Sequence, residues 1–505
     1  MKSHFFKRHS FGISLALIAA LNFLFLACLS ASRSLWHDDI YQLFFSWDRT
    51  FMDSMKTILE VDLNPPLWGI LSFLWLKIAP FGTFWLRLPS LLFVSTSSCF
   101  LGLAAKELYG KRVGVITAIL CALSPYVAIE CAFSFRAYGL YLFVSSLTAF
   151  AYVRKLKRPS LGNRIFFFLG VLSVSMTHYF GALLCAFLFL SDLILACKRR
   201  QPKTFFLEYG IACLLELPWV VLHLETISSA MLDFWPPTPS FLSYLHFFKA
   251  MPLNSYVLAP LLLILTVWFW IRSVRRYRRE NADSLWEPEH YTRVLFLAIP
   301  LILVLSILVY CNIAPRSSAW VYRYFFSIFP FLILFYGFAL SDFIDWLSQK
   351  IASPRWTPNL LALLLSVLIL IPNYTIQVIV EEQTEYEPFE QVADMLMEQP
   401  EIVNREDAII YCTINCVDGW RYYLSENRSR SMEGITLLGN ADYFRDPQGI
   451  MDSMKNCELV FFYEEHLQTE SEEILAHQLR AELSKTHDEI IMDADRDVYK
   501  FVRRS

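Results

Sequence analysis

The sequence predicts an α-helical polytopic membrane protein of about eleven spans plus one interfacial or re-entrant helix, carrying a small C-terminal extracytoplasmic α/β domain. Three observations predict it. Of 505 residues 55% are hydrophobic and only 18% charged, whereas soluble domains carry about 25% charged residues. Apolar stretches near 20 residues, about the length of helix that crosses a 30 Å hydrocarbon core, recur through the first 374 positions. The charge is also divided: residues 381–505 hold 28 Asp/Glu against 12 Lys/Arg, a net of −16, and since the chain nets −3, residues 1–380 net +13. A single soluble domain, a disordered chain and a disulfide-stapled miniprotein are thereby excluded. The +13 does not point to nucleic acid, because these charges sit in short clusters between apolar segments, where membrane topology accounts for them.

In chain order, the first apolar run is 11–30, behind Lys2, Lys7 and Arg8. It is longer than the apolar core of a signal peptide and is read as a span. Lys/Arg clusters follow at 106–112, 154–164, 198–203 and 272–279, and all four are expected to face the cytoplasm. That demand forbids a full span between Pro66 and Pro80, which would put the first two clusters on opposite sides; these prolines lie only 14 positions apart. The piece is read as interfacial or re-entrant. The stretch 164–196 is too long for one span and basic at both ends, so it is read as two short helices turning at Thr177-His178-Tyr179. The expected spans are 11–30, 85–105, 113–131, 137–153, 164–177, 179–196, 204–222, 256–271, 293–311, 324–342 and 357–373. Residues 1–374 form the membrane domain, with 31–84 as first outer loop, and 375–505 form the soluble one. The N-terminus is expected in the cytoplasm and the C-terminal domain outside it.

This map gathers Asp38, Asp39, Pro65-Pro66, Glu130, Arg136, His178, Trp235 to Pro237, Arg316 and Arg323 at the outer face. The first outer loop holds six of the 19 acids in residues 1–380: Asp38, Asp39, Asp48, Asp53, Glu60 and Asp62. In WHDDIYQLFF, Trp36, Ile40, Leu43 and Phe44 recur at helical spacing, as in an amphipathic helix on a membrane surface. Two acids opening such a helix gain from its positive dipole end, and simple N-capping is the competing account of the pair.

Read in order, WHDDIY, DLNPPLWGIL, FWLRLPSLL, LYGKRVGVITAILCALSPY, FSFRAYGL, MTHYFGALL and VYRYFFSIFP resemble the GT-C superfamily. The likeness is to its polyprenyl-phosphate-sugar-dependent group, which contains protein mannosyltransferases and aminoarabinose transferases. It covers residues 10–200 well and 200–345 loosely, and does not reach the C-terminal segment. The resemblance implies transfer of a single sugar from a polyprenyl-phosphate carrier to a hydroxyl acceptor (protein, lipid or glycan) at the extracytoplasmic face, with inversion. It implies that Asp38 is the catalytic carboxylate and Asp39 its neighbour in the family's acidic pair, where the second acid is Glu. The family's Glu-Ala-Arg-x-Tyr-x-Leu stretch falls on Ser134 to Leu140, keeping Arg136 and Tyr138 but lacking the acid, for which Glu130 is a candidate stand-in. His178 matches the family's Thr-His-Tyr-Phe turn, and Pro65 and Pro66 its Pro-Pro pair. The near family mostly works without an obligatory metal, so neither metal nor other cofactor is expected.

That chemistry has a physical logic. Displacing a lipid phosphate needs a carboxylate to take the acceptor's proton and cationic side chains aimed at the charge that grows on the departing phosphate. Arg136 and Arg323 stand among aromatic neighbours, where an ionisable group is costly enough to suggest function; a snorkelling interfacial arginine is the ordinary alternative for Arg323. The expected partners are the lipid-linked donor, membrane lipid and a hydroxyl acceptor. A membrane glycan polymerase and a lipid or sugar transporter are the competing functions; a transporter predicts repeat symmetry, and none is visible. A bacterial inner membrane is favoured, since no retention signal appears.

After Asn373, PFEQVADMLMEQ, DGWRYYLSEN, FRDPQGIMDSMKN and SEEILAHQLRAELS read as amphipathic helices, and AIIYCTI, CELVFFYE and DVYKFVRR as strands, an α/β layer. Of 11 cysteines only Cys412, Cys416 and Cys457 fall there. An odd number forms no complete disulfide framework.

Overall fold

The computed structural model describes residues 2–30, 34–47, 49–80, 82–199, 205–231, 236–254, 258–277, 286–350, 370–383, 389–399, 408–413, 435–464, 470–493 and 497–504. By its contacts the chain divides into two units: residues 1–31, 48–79 and 84–383, and residues 32–47, 80–83 and 384–505.

The first unit is helical. It contains α1 (Lys2–Ser30), α3 (Phe51–Val61), α4 (Leu67–Leu76), α5 (Thr83–Tyr109), α6 (Lys111–Ala122) and a one-turn α7 (Pro125–Val127). It continues through α8 (Tyr138–Lys157), α9 (Leu161–Ser175), α10 (Tyr179–Arg199), α11 (Phe206–Ala230), α12 (Phe241–Leu253), α13 (Leu258–Tyr277), α14 (Pro288–Ile313), α15 (Phe329–Lys350) and α16 (Ile371–Gln383). Helix α2 (His37–Ser46) belongs to the second unit. Among the described residues six helices are long and apolar enough to cross a membrane, and seven if α6 and the segment from Pro125 to Ala132, which meet at a 53° bend, are counted as one span. The bend follows from Pro125, which lacks the N–H that would continue α6. Helix α4, ten residues long, rises only about 15 Å and spans nothing, in keeping with the interfacial reading. The expected last span, 357–373, lies largely outside the described residues. The expected span 324–342 starts later than its hydropathy suggested: residues Tyr322–Ser327 form 3-10 turns and the α-helix begins at Phe329, with Pro330 in its first turn, where a missing N–H costs least.

The basic clusters gather at one end of the bundle. Lys157 Nζ donates to the Glu107 carbonyl (2.5 Å) and pairs with Glu289 (2.8 Å), Arg112 pairs with Asp345, and Arg293 lies 3.6 Å from Asp342. The loops near 106 and 154 therefore do share a side. Just inside this end, Lys155 Nζ meets Asp192 at 2.5 Å, Tyr209 donates to the same carboxylate at 2.9 Å, and the ammonium sits 3.9 Å over the Phe167 ring. Both ions are buried and compensate each other's desolvation, which clamps α8, α9, α10 and α11 together.

Close approach needs small residues elsewhere. A Cβ on Gly114 would stand 2.6 Å from the Gly102 carbonyl, so α5 and α6 meet backbone to backbone. At the α9–α10 turn, a Cβ on Gly181 would lie 2.1 Å from the Val174 carbonyl oxygen. Gly181→Ala should therefore cost about 1–3 kcal/mol, as overpacking against rigid backbone does, lowering the thermal unfolding midpoint of the detergent-solubilised protein; an unchanged midpoint would disprove this contact.

In the second unit, β1 (Ala408–Cys412), β2 (Ile435–Gly439), β3 (Leu459–Tyr463), β4 (His487–Asp493) and β5 (Val498–Arg503) form a sheet in the order β2-β1-β3-β5-β4. The β2–β1–β3 part is parallel and the β3–β5–β4 part antiparallel. Alternate residues Ile409, Tyr411, Val460, Phe462, Tyr499 and Phe501 share one face and form one core with Met451, Met454, Leu479 and Leu483. These come from the helices Pro447–Asn456 and Glu470–Leu483. Cys416 lies outside the described residues.

Candidate active site

The site residues of the first unit lie where helices begin or end, opposite the basic clusters: α8 opens at Tyr138 and closes on Arg154, Lys155 and Lys157. Three loops and one 3-10 segment supply them.

The first loop follows α3. Asp62, its C-cap, is buried, and its Oδ1 accepts from the Asn64 N–H (3.2 Å) and side-chain amide (3.0 Å). This Asx turn orients the chain into Pro65 and Pro66, both buried, and thence into α4, whose Leu67 N–H donates to the Met176 carbonyl at 3.0 Å. Burial pushes the Asp62 carboxyl up from its ordinary range, opposed by the positive charge of Arg136 and by the Asn64 hydrogen bonds.

Arg136 lies in the segment between the π-helical turn Ala128–Ala132 and α8. The Ser90 hydroxyl anchors that segment by donating to the Ser134 carbonyl at 2.7 Å, and Trp68 of α4 meets Phe135 edge to face at 5.5 Å. Single π turns commonly accompany functional sites, and this one carries Glu130. In the 3-10 segment, Arg323 Nε donates to the Tyr138 hydroxyl at 3.0 Å, its guanidinium lies 5.5 Å from the Tyr138 ring centre, and its terminal nitrogen is 3.9 Å from Glu130. Glu130, Tyr138 and Arg323, expected separately as substrate-binding residues, are thus one cluster, in which Glu130 is the counter-charge of Arg323.

His178 occupies the turn between α9 and α10. Its ring stacks on Tyr141 at 4.9 Å and 13°, and lies 4.8 Å from Tyr324. The Phe180 N–H donates to His178 Nδ1 at 3.2 Å, so Nδ1 is the acceptor and Nε2 carries the proton. Burial, then the charges of Arg136 and Arg323, hold the imidazole down to about 3. His178 is therefore a neutral hydrogen-bonding group rather than a general acid. Between pH 6.5 and 3 the unfolded chain binds a proton that the folded chain refuses, so stability should fall as pH falls through this window, by about 1.4 kcal/mol per unit, and be level above it. His178→Asn should flatten that slope in thermal unfolding between pH 7.5 and 4.5. An identical slope would remove His178 as its source.

In the second unit, α2 carries Asp38 and Asp39 in its first turn; its N-cap is Trp36, which makes no side-chain capping bond. Of the two acids Asp39 is enclosed with Gln42, Ile40 and Leu43, all fully buried, while Asp38 is half-buried and keeps part of its surface. Trp235 lies outside the described residues, and Arg316 is exposed in a 3-10 turn.

Two residues beside the first unit's site were given no role from sequence: Asp62, counted only among the acids of the first outer loop, and His223. His223 Nε2 lies 2.6 Å from the Asp62 carbonyl oxygen and its Nδ1 2.6 Å from the Tyr179 hydroxyl. The signals were present: an acid placed to form an Asx turn before Pro-Pro, and an imidazole inside the apolar run VVLHLE.

No family model and no curated protein matches the chain in sequence. Its fold matches solved structures. The crystal structure of ArnT from Cupriavidus metallidurans bound to undecaprenyl phosphate has a TM-score of 0.62 at 13% identity, over 97% of this chain and 98% of that one. The apo state of the same protein has 0.61 at 14%, over 96% and 97%. The archaeal oligosaccharyltransferase AglB from Archaeoglobus fulgidus, in complex with an inhibitory peptide and a dolichol-phosphate, has 0.47 at 12%, over 99% and 75%. The chain shares the fold of ArnT, a polytopic helical domain with a small sheet domain. The likeness in fold extends into the C-terminal segment, where the resemblance in sequence motifs stops.

Proposed function

We propose that this chain is a membrane glycosyltransferase that moves one sugar from a polyprenyl-phosphate carrier to a hydroxyl acceptor at the extracytoplasmic face, with inversion at the anomeric carbon. The observation that carries the reading most is the end-to-end agreement in fold with ArnT, whose structure was solved with undecaprenyl phosphate. The arginine, tyrosine and carboxylate cluster at one end of the bundle supports it.

In the reaction the acceptor oxygen bonds to the anomeric carbon while the bond from that carbon to the phosphate oxygen breaks. The proton of the acceptor hydroxyl passes to a carboxylate, the role the resemblance assigns to Asp38, and the electron pair of the broken bond stays on the lipid phosphate. The phosphate thus leaves with one more negative charge than it had as a diester. Arg136 and Arg323 are the cations suited to that charge; Tyr138 holds the Arg323 guanidinium in place, and Glu130 limits the repulsion of two arginines near one site. Neutral His178 adds no third positive charge. Asp62 shapes the Asn64-Pro65-Pro66 turn, and Asp39 supports Asp38 in the first turn of α2.

The test is a purified protein given undecaprenyl phosphate bearing a radiolabelled sugar, with a panel of hexoses and pentoses and of hydroxyl acceptors. Release of undecaprenyl phosphate with a labelled product of inverted configuration is expected. Movement of intact labelled lipid across a vesicle membrane, with no bond broken, would overturn the reading in favour of transport.

A further inference from the structure

We infer that His223, inside an apolar helix and outside every motif, is a positioning residue that fixes the Asp62 turn to the His178 turn. The inference rests on the proposed reading of this site as a lipid-phosphate sugar transferase. His223 is fully buried while its neighbours Leu222 and Leu224 on α11 are 64% and 60% exposed, so the imidazole is the one side chain there turned into the bundle. Both ring nitrogens are used. A carbonyl oxygen only accepts, so Nε2 must donate to Asp62 O; Nδ1 of the neutral ring then accepts from the Tyr179 hydroxyl, each at 2.6 Å. One turn further along α11, the Thr226 hydroxyl donates to the Leu59 carbonyl at 2.9 Å. The last carbonyls of α3, which a helix end leaves without partners, are thus met by side chains of α11.

The consequence reaches the site from two directions. Asp62 carries the carboxylate that organises Asn64 and lies within the field of Arg136. Tyr179 directly follows His178, which lies within the field of Arg136 and Arg323. One imidazole bonded to both turns sets the spacing of the loops that bear these groups.

Two substitutions separate its bonds. His223→Gln keeps an amide donor near the Nε2 position, and His223→Asn keeps a polar group only near Nδ1. Hydrogen exchange measured by mass spectrometry on the full chain in detergent should show faster exchange over residues 59–67 in the Asn variant alone, by about tenfold, the worth of one lost hydrogen bond. The dissociation constant for undecaprenyl phosphate should rise by a similar factor in the Asn variant and stay within about twofold in the Gln variant. Tyr179→Phe removes only the hydroxyl bonded to Nδ1 and keeps the Asp62 bond; it should quicken exchange over residues 176–182 and leave residues 59–67 unchanged, and it serves if the Asn variant does not fold, with unchanged exchange over 176–182 counting against the inference. Exchange that rises evenly along the chain, or equally in both His223 variants, would make His223 ordinary packing and end the inference. If the segment behaves as expected but the wild type binds no undecaprenyl phosphate, positioning stands and the proposed function falls.

Discussion

Asp38→Asn should lower the rate of sugar transfer by about 10²–10⁴-fold, the usual worth of a general base, and leave affinity for undecaprenyl phosphate within a factor of two or three. The amide has the carboxylate's shape but cannot take the acceptor's proton, so the loss belongs in kcat. Asp38 is half-buried at the start of α2, reachable by a substrate and stabilised as an anion by the helix dipole. Asp39, fully buried beside it, is out of such reach, and Asp39→Asn should act mainly through stability. A steady-state assay of both variants decides the matter. Wild-type kcat in Asp38→Asn would remove it as the base, and the same loss in Asp62→Asn alone would transfer the role to that acid.

Arg323→Met should lower transfer by about 10²–10³-fold, as removal of one donor to a developing anion does elsewhere. The substitution takes away a cation, the bond to the Tyr138 hydroxyl and the partner of Glu130. Glu130 then faces the lipid phosphate without the charge of Arg323 beside it, and Arg323→Met with Glu130→Gln should recover part of the loss. Arg323→Lys keeps charge without the planar fork that reaches both neighbours, so it should fall between wild type and Met. Full activity in the Met variant would assign Arg323 to the interface as a snorkelling residue. These effects exceed those expected for Gly181→Ala and His178→Asn, which act on stability.

The span pattern was legible because bilayer geometry acts on single segments: about 20 apolar residues in a row must be a helix whatever surrounds them. The same local logic placed α4 between Pro66 and Pro80 and the hairpin at His178. In the second unit β1, β3 and β5 were legible from their apolar runs. Strands β2 and β4 were not, and the sheet order shows why. They are its edges; most of β4 faces outward, from Asp488 to Ile491, so neither the alternation nor the apolar run that marks an interior strand was required of it.

Within the first unit, the sequence by itself placed Glu130, Arg136, His178 and Arg323 toward one end of the helices, because positive-inside bias and span length sort residues by depth. It also carried Asp38, Arg136, Tyr138 and His178 through motif order. Which of them touch was decided only by the tertiary structure. The partnership of Arg323 with Tyr138 and Glu130, the neutral state of His178 and the two-sided grip of His223 join residues 44 to 193 positions apart. Such bonds leave no period or spacing in the chain, since a hydrogen bond constrains two atoms in space and nothing of the sequence between them.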